Sequence, residues 1–125
     1  MILHRYHQIN TIGEKDMKIV YNNIIPFEGF KAMACVWWIF ARKGARMYPT
    51  DIRHENIHGA QQREMLLVFF LLWYGIEWLV RLCIYRNPHT AYKNICFERE
   101  AYDNESDIVY LDTRKHFAFI HYIRN

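Results

Sequence analysis

The chain has 125 residues, 52% of them hydrophobic and 17% aromatic, with a formal charge of +3. That length makes one domain with one real core, and the weak, interspersed charge excludes a nucleic-acid partner. Cys35, Cys83 and Cys96 have no C-x-x-C spacing and are odd in number, which suits a reducing compartment and a cytoplasmic protein.

Met1 to Asp16 is polar, without a signal-peptide pattern. It reads as a loosely ordered extension (1–16) ahead of a single domain (17–125). Lys18 to Ile25 is a strand candidate rich in Ile, Val and Tyr, and Pro26-Phe27-Glu28-Gly29 is a turn. Lys31 to Arg42 is the second strand, so the domain opens on a β-hairpin, and Lys43-Gly44 ends it. A helix follows from Asp51 to about Tyr74, with Thr50 as N-cap and Asp51 placing a negative charge in the first turn. Gly75 bends or ends it, and Ile76 to Tyr85 continues as helix. Asn87-Pro88 is a start signal for another helix over Thr90–Asp103, and Asp112 or Thr113 starts a last one to about Ile123. The fold class is α+β, mostly helical.

Met65 to Tyr85 is mostly apolar and about as long as a membrane span, but Glu77 and Arg81 interrupt it. Those two are spaced to pair at i,i+4. Met65 to Ile76, the uninterrupted part, has the length of a buried core helix, and the mean hydropathy of −0.22 is that of a soluble protein. The segment therefore reads as buried, or half exposed on an apolar surface, rather than as a span. Trp73 and Trp78 keep peripheral membrane contact open.

The first helix carries His54-Glu55-Asn56-Ile57-His58, an H-E-x-x-H pattern. Residues four apart share a helical face, so His54 and His58 can hold one Zn²⁺ while Glu55 acts as general base on a water. Gly59, next to His58, allows a close approach of another backbone or is a packing glycine. The third ligand is Glu98 or Glu100, which point to nearly opposite sides of a helix. Around Glu98 lie Ala91, Asn94, Ile95, Ala101, Tyr102 and Glu105, a small apolar face around its carboxylates that turns inward. Around Glu100 lie Lys93, Cys96, Phe97, Asp103, Asn104 and Asp107, a more polar face that meets water. A carboxylate on an inward face needs a partner such as zinc, which selects Glu98. Glu105, on the same face, is placed to hydrogen-bond a ligating histidine. Cys96 points elsewhere and reads as a buried free thiol. His4, His7, His89, His116 and His121 read as surface or packing residues.

With Glu98-x-x-Ala101 following His54-Glu55-x-x-His58, the chain resembles the gluzincin metallopeptidases. It looks closest to their small, minimal bacterial domains, and His58-Gly59-Ala60-Gln61-Gln62 is similar to an H-x-x-Q-Q continuation in some of them. The resemblance covers roughly residues 50–105. It implies a zincin-type helical core, a peptide or protein substrate, and an edge strand that binds it. Ala34–Arg42 is that strand or a plain core strand. The chain departs from the family where Tyr102 replaces the common Asp after the alanine, leaving Asp103 or Glu105 as the orienting carboxylate.

The function implied is hydrolysis of a peptide bond, with zinc on His54, His58 and Glu98 and Glu55 as the base. Tyr92, Tyr102, Tyr110, Arg114 and His116 are candidates to stabilise the oxyanion, with Tyr102 foremost because it shares the Glu98 face. The alternatives are a catalytically silent zinc-binding domain and a membrane-associated interaction domain. Glu55 favours catalysis, because a structural zinc site needs no base and is usually closed by four protein ligands.

Overall fold

Three short strands form one sheet: β1 (Lys18–Asn22), β2 (Ala32–Cys35) and β3 (Trp38–Arg42). The order is β1-β3-β2, with β1 parallel and β2 antiparallel to β3. The computed structural model describes residues 17–26 and 28–123; the expected extension over 1–16, with His4 and His7, lies outside them. A hairpin is present, but it is β2–β3, not a pairing of the first strand with one long second strand. The run from Lys31 to Arg42 folds back at Val36-Trp37, where Val36 has φ 53°. The register pairs Ala34 with Ile39, and both are buried. The turn is held from outside: the Val36 amide donates to Gln62 Oε1, and Arg63 Nη1 donates to the Val36 carbonyl at 2.7 Å. Met17, Ala34 and Ile39 form a small core against Ile19, Met47 and Ile52.

The helix α1 (Pro49–Tyr85) dominates the fold. Pro49 occupies its first turn after the N-cap Tyr48, and the Tyr48 amide donates to Asp51 Oδ2 at 3.0 Å, so Thr50 is not the cap. Proline suits this place because the first helical N–H has no partner to lose. Gly59 does mark a close approach, but of a side chain: a Cβ there would lie 2.4 Å from Met17 Sδ. The break falls at Leu66 (φ 55°, ψ 140°), not at Gly75. Positive φ is rare for so bulky a residue, and it divides α1 into two arms, residues 49–65 and 67–85.

The second arm has its polar groups inside and its apolar groups outside. Arg81 is buried, 3.3 Å from Glu77, and Glu77 also accepts from Trp73 Nε1 and the Cys96 amide, each at 3.0 Å. The pair seen in the sequence is thus an internal one. Glu77 places its charge at the N-terminus of the helix beginning at Cys96, where free N–H groups favour it. On the other side Val68, Phe69, Leu72, Ile76, Leu79 and Ile84 are all more than half exposed. Of the two readings of this segment, buried or half exposed, the structure shows the second. By length and composition α1 is long and apolar enough to cross a membrane.

The expected single helix over Thr90–Asp103 is two, α2 (Pro88–Lys93) and α3 (Cys96–Asn104). Asn87 caps α2 by accepting from the Thr90 amide at 3.0 Å. Asn94 separates the two: its side chain donates to the Thr90 carbonyl and accepts from Arg99 Nη2, both at 2.7 Å. Such side-chain bonds compete with the helical ladder. The expected last helix is replaced by a single turn, α4 (Tyr110–Thr113), and a 3₁₀ turn (Ala118–Tyr122). Phe117, at φ 58°, reverses the chain so that Phe119 enters the core.

That core is aromatic. Phe70, Ile95, Cys96, Phe97 and Phe119 are buried together, with Trp73 and Tyr74 against them. Phe97 joins α1 to the 3₁₀ turn, with ring centroids 4.5 Å from Phe70 and 4.8 Å from Phe119. Phe97→Ala should therefore lower stability by about 3–5 kcal/mol, the usual cost of emptying a buried aromatic site. Urea denaturation of the variant measures this, and a change under 1 kcal/mol (roughly the cost of a surface substitution) would refute the assignment of this core.

Candidate metal centre

The first arm of α1 turns His54 and His58 toward α3, where Glu98 is buried in the first turn. Their ligand atoms form a nearly equilateral triangle. His54 Nε2 and His58 Nε2 are 3.2 Å apart, and each is 3.1 Å from Glu98 Oε1. Tetrahedral zinc with bonds of about 2.0–2.2 Å holds its ligands roughly 3.3–3.6 Å apart, so the triangle is slightly contracted relative to such a site. This buried His54, His58 and Glu98 group can hold a metal ion.

The hydrogen bonds behind the ligands decide their chemistry. Gln61 Nε2 donates to the Phe97 carbonyl at 3.0 Å and to Glu100 Oε1 at 2.9 Å. Both partners are pure acceptors, so the amide can face only one way. Its Oε1, 2.8 Å from His58 Nδ1, must accept a hydrogen bond from that nitrogen, which therefore carries the proton. On His54, Nδ1 lies 3.1 Å from Glu105 Oε1 and donates to it. In each neutral imidazole Nε2 therefore carries the lone pair. Two lone pairs and a carboxylate oxygen meet at the centre, an arrangement that requires a cation or a proton between them.

Charge shifts follow the same geometry. Burial opposes ionisation of Glu98, but His58 and His54 beside it hold its carboxyl well below the usual carboxylate range. Burial likewise opposes a charge on His58, and the Glu98 carboxylate overrides this, pushing it up to about 9. Burial pushes Glu55 up to about 7, against the pull of His58 and His54. A carboxylate poised near neutrality suits a general base.

Glu105 does hydrogen-bond a histidine of the cluster. Tyr102 shares the Glu98 face, but its ring packs edge-on against His54 (centroids 4.5 Å), and its hydroxyl is 2.9 Å from that of Tyr92. The water-facing reading of Glu100 is wrong: it is fully buried, held by Gln61, by Arg114 and by the Tyr110 hydroxyl at 2.7 Å. Phe97 and Cys96, placed on that same face, are buried as well. Polar residues there made the face look solvated, while the segment after α3 wraps back and supplies Arg114 as the counter-charge. Arg114 also pairs with Glu64 at 2.7 Å, and His116 is exposed beside Glu64, so neither points into the centre.

The sequence reading missed Tyr74, whose hydroxyl donates to Glu98 Oε2 at 2.7 Å. On a straight helix it would lie about 24 Å beyond His58, and only the break at Leu66 brings it back. Nothing local signals that break. Gln61 was legible in principle, because it follows His58 by three and His54 by seven on one helical face.

A cavity of about 320 Å³ opens over the cluster, lined by β2, by Pro26 and Phe30, and by Leu67, Phe70, Leu71, Tyr74 and Tyr92. Glu55 lines it together with all three cluster residues. The strand beside it is β2; β3, which makes up most of the expected Ala34–Arg42 edge, is central in the sheet. Arg42 donates to the Lys31 carbonyl, so by antiparallel alternation Ala32 and Ala34 turn their main-chain groups outward. Gln62 Nε2 occupies the Ala34 carbonyl at 3.0 Å.

No protein family, curated protein or solved structure matches this chain. The centre is therefore understood from its own geometry.

Gln61→Leu removes the acceptor from His58 Nδ1 and one donor from Glu100. Metal affinity in that variant should fall about 10- to 100-fold, as is usual when a ligand's hydrogen-bond partner is lost. Competition titration with a chromophoric zinc chelator reads this; unchanged affinity would show that the amide does not orient His58.

Proposed function

We propose that this protein is a small zinc-dependent metallopeptidase of the gluzincin kind, with a zincin-type helical core. The observation that carries the reading is the convergence of two imidazole lone pairs and one carboxylate oxygen, with Glu55 beside them on a cavity wall. Three protein ligands leave a position open, as in catalytic rather than structural zinc sites. When bound, zinc supplies Lewis acidity for water and for the developing oxyanion.

The chain's own residues supply the rest. Glu55 takes the proton from the attacking water and returns it to the leaving amine. Glu105 and Gln61 hold the two rings with Nε2 inward, and Tyr74 holds the outer oxygen of Glu98. Tyr92 lines the cavity and is the better placed of the Tyr92–Tyr102 pair to meet a substrate carbonyl, with Tyr102 bracing it through the shared hydrogen bond. The outward main-chain groups of Ala32 orient an extended peptide by strand addition.

One observation favours a catalytically silent metal-binding domain instead: Gln62 occupies the Ala34 carbonyl, a group that an added strand would use. Glu55 weighs against it, because a silent metal site has no need of a general base on the cavity wall beside its ligands. The reading includes a cytoplasmic location, which the free thiols Cys35, Cys83 and Cys96 support.

Glu55→Gln should retain one zinc per chain and lose about 10²- to 10⁴-fold in turnover of a quenched fluorescent peptide. Undiminished turnover would overturn the assignment of the base. His58→Ala should lose the metal, as read by elemental analysis; normal zinc content would place the ion elsewhere.

A further inference from the structure

From Leu66 to Ile84 every exposed residue is apolar, a glycine or a cysteine. The charged members of this stretch, Glu77 and Arg81, face inward and pair. The exposed positions run from Leu71 round through Val68 to Ile84, and at 100° per residue they cover roughly 220° of the circumference. A protein partner that packs on a helix covers a stripe about half as wide. A surface this broad and this uniform calls for an apolar solvent rather than a docking partner.

The arm is also the right size. Residues 67–85 make a rod about 28 Å long, close to the hydrocarbon thickness of a bilayer. A perpendicular span is nonetheless the wrong posture. The inner face of the arm is covered by α2, α3 and the 3₁₀ turn, and these expose Lys93, Asp103 and His121. Crossing would drag those groups into hydrocarbon, whereas lying parallel to the surface leaves them in water.

We propose that the second arm of α1 lies flat in one leaflet of a lipid bilayer, with Val68, Leu72, Ile76, Leu79 and Ile84 in the acyl region. The occupant of the apolar face is lipid, not a second copy of the chain. Leu67 and Leu71 line the cavity, and Leu71 is exposed, so the mouth of the metal centre opens at the same surface. Resting on the peptidase reading, the substrate is then a polypeptide presented at the membrane surface.

The seating is tested without any assay of hydrolysis. The full chain is floated with phosphatidylcholine vesicles, alone and as Leu72→Lys/Ile76→Lys. The unaltered protein should rise with the vesicles, and the double variant should bind about tenfold less or weaker still, with its circular dichroism unchanged. A protein that stays with the aqueous phase, or a double variant that floats equally well, overturns the proposal, and so does a stable lipid-free dimer that ignores vesicles. Depth is then read from an environment-sensitive fluorophore on exposed Cys83, and in a Cys83→Ser background on Val68→Cys or Ile76→Cys. All three labels should be quenched more by nitroxides near the headgroups than by nitroxides deep in the acyl chains. A deep Ile76→Cys label between two shallow ones would mean a span and contradict the flat seating. Either result stands whether or not the zinc centre cleaves peptides.

Discussion

Two imidazole lone pairs and a carboxylate oxygen, each about 3 Å from the others, repel unless a positive charge lies among them. The rest of the site is arranged to keep them there. Glu105 and the Gln61 amide fix the ring protons on the outer nitrogens, and Tyr74 takes the oxygen of Glu98 that points away. Behind Gln61 stand Glu100 and Arg114, whose ion pair orients the amide from a segment after the last ligand. Burial raises the stakes of each contact, because an unpaired charge in this interior is expensive.

The second constraint is the break at Leu66. It lets one long helix do two jobs, carrying the histidines on its first arm and closing the aromatic core with its second. Without it, Tyr74 and Phe70 would lie beyond reach of Glu98 and Phe97. Among the described residues none covers the outer face of the second arm, where Val68, Leu72 and Ile76 are more than half exposed. Its polarity is inverted, with Glu77 and Arg81 inside and aliphatic residues outside.

Much of this was legible in the residues because helical spacing is rigid. His54, Glu55 and His58 fix each other's positions, and the face argument chose Glu98 over Glu100 and placed Glu105 behind a ligand. The same argument misjudged Glu100, since a face that looks polar is solvated only if nothing charged folds over it, and Arg114 does. The breaks at Val36 and Asn94 were opaque because the first is held by Gln62 and Arg63, distant in sequence, and the second by a side chain that outcompetes the local ladder, so no local propensity announces either. The break at Leu66 has no signal in its neighbouring residues. The parallel pairing of β1 with β3 likewise depends on a register that only the assembled sheet defines.

X-ray absorption at the zinc edge, on protein purified without a histidine tag and without added metal, tests the central claim most directly. Two imidazole nitrogens and one or two oxygens at about 2.0–2.2 Å, with no sulfur, would be the signature of His54, His58 and Glu98 with an open position. A sulfur shell at about 2.3 Å, or no zinc at all, would contradict it and leave the triangle as a proton-bridged element of the core.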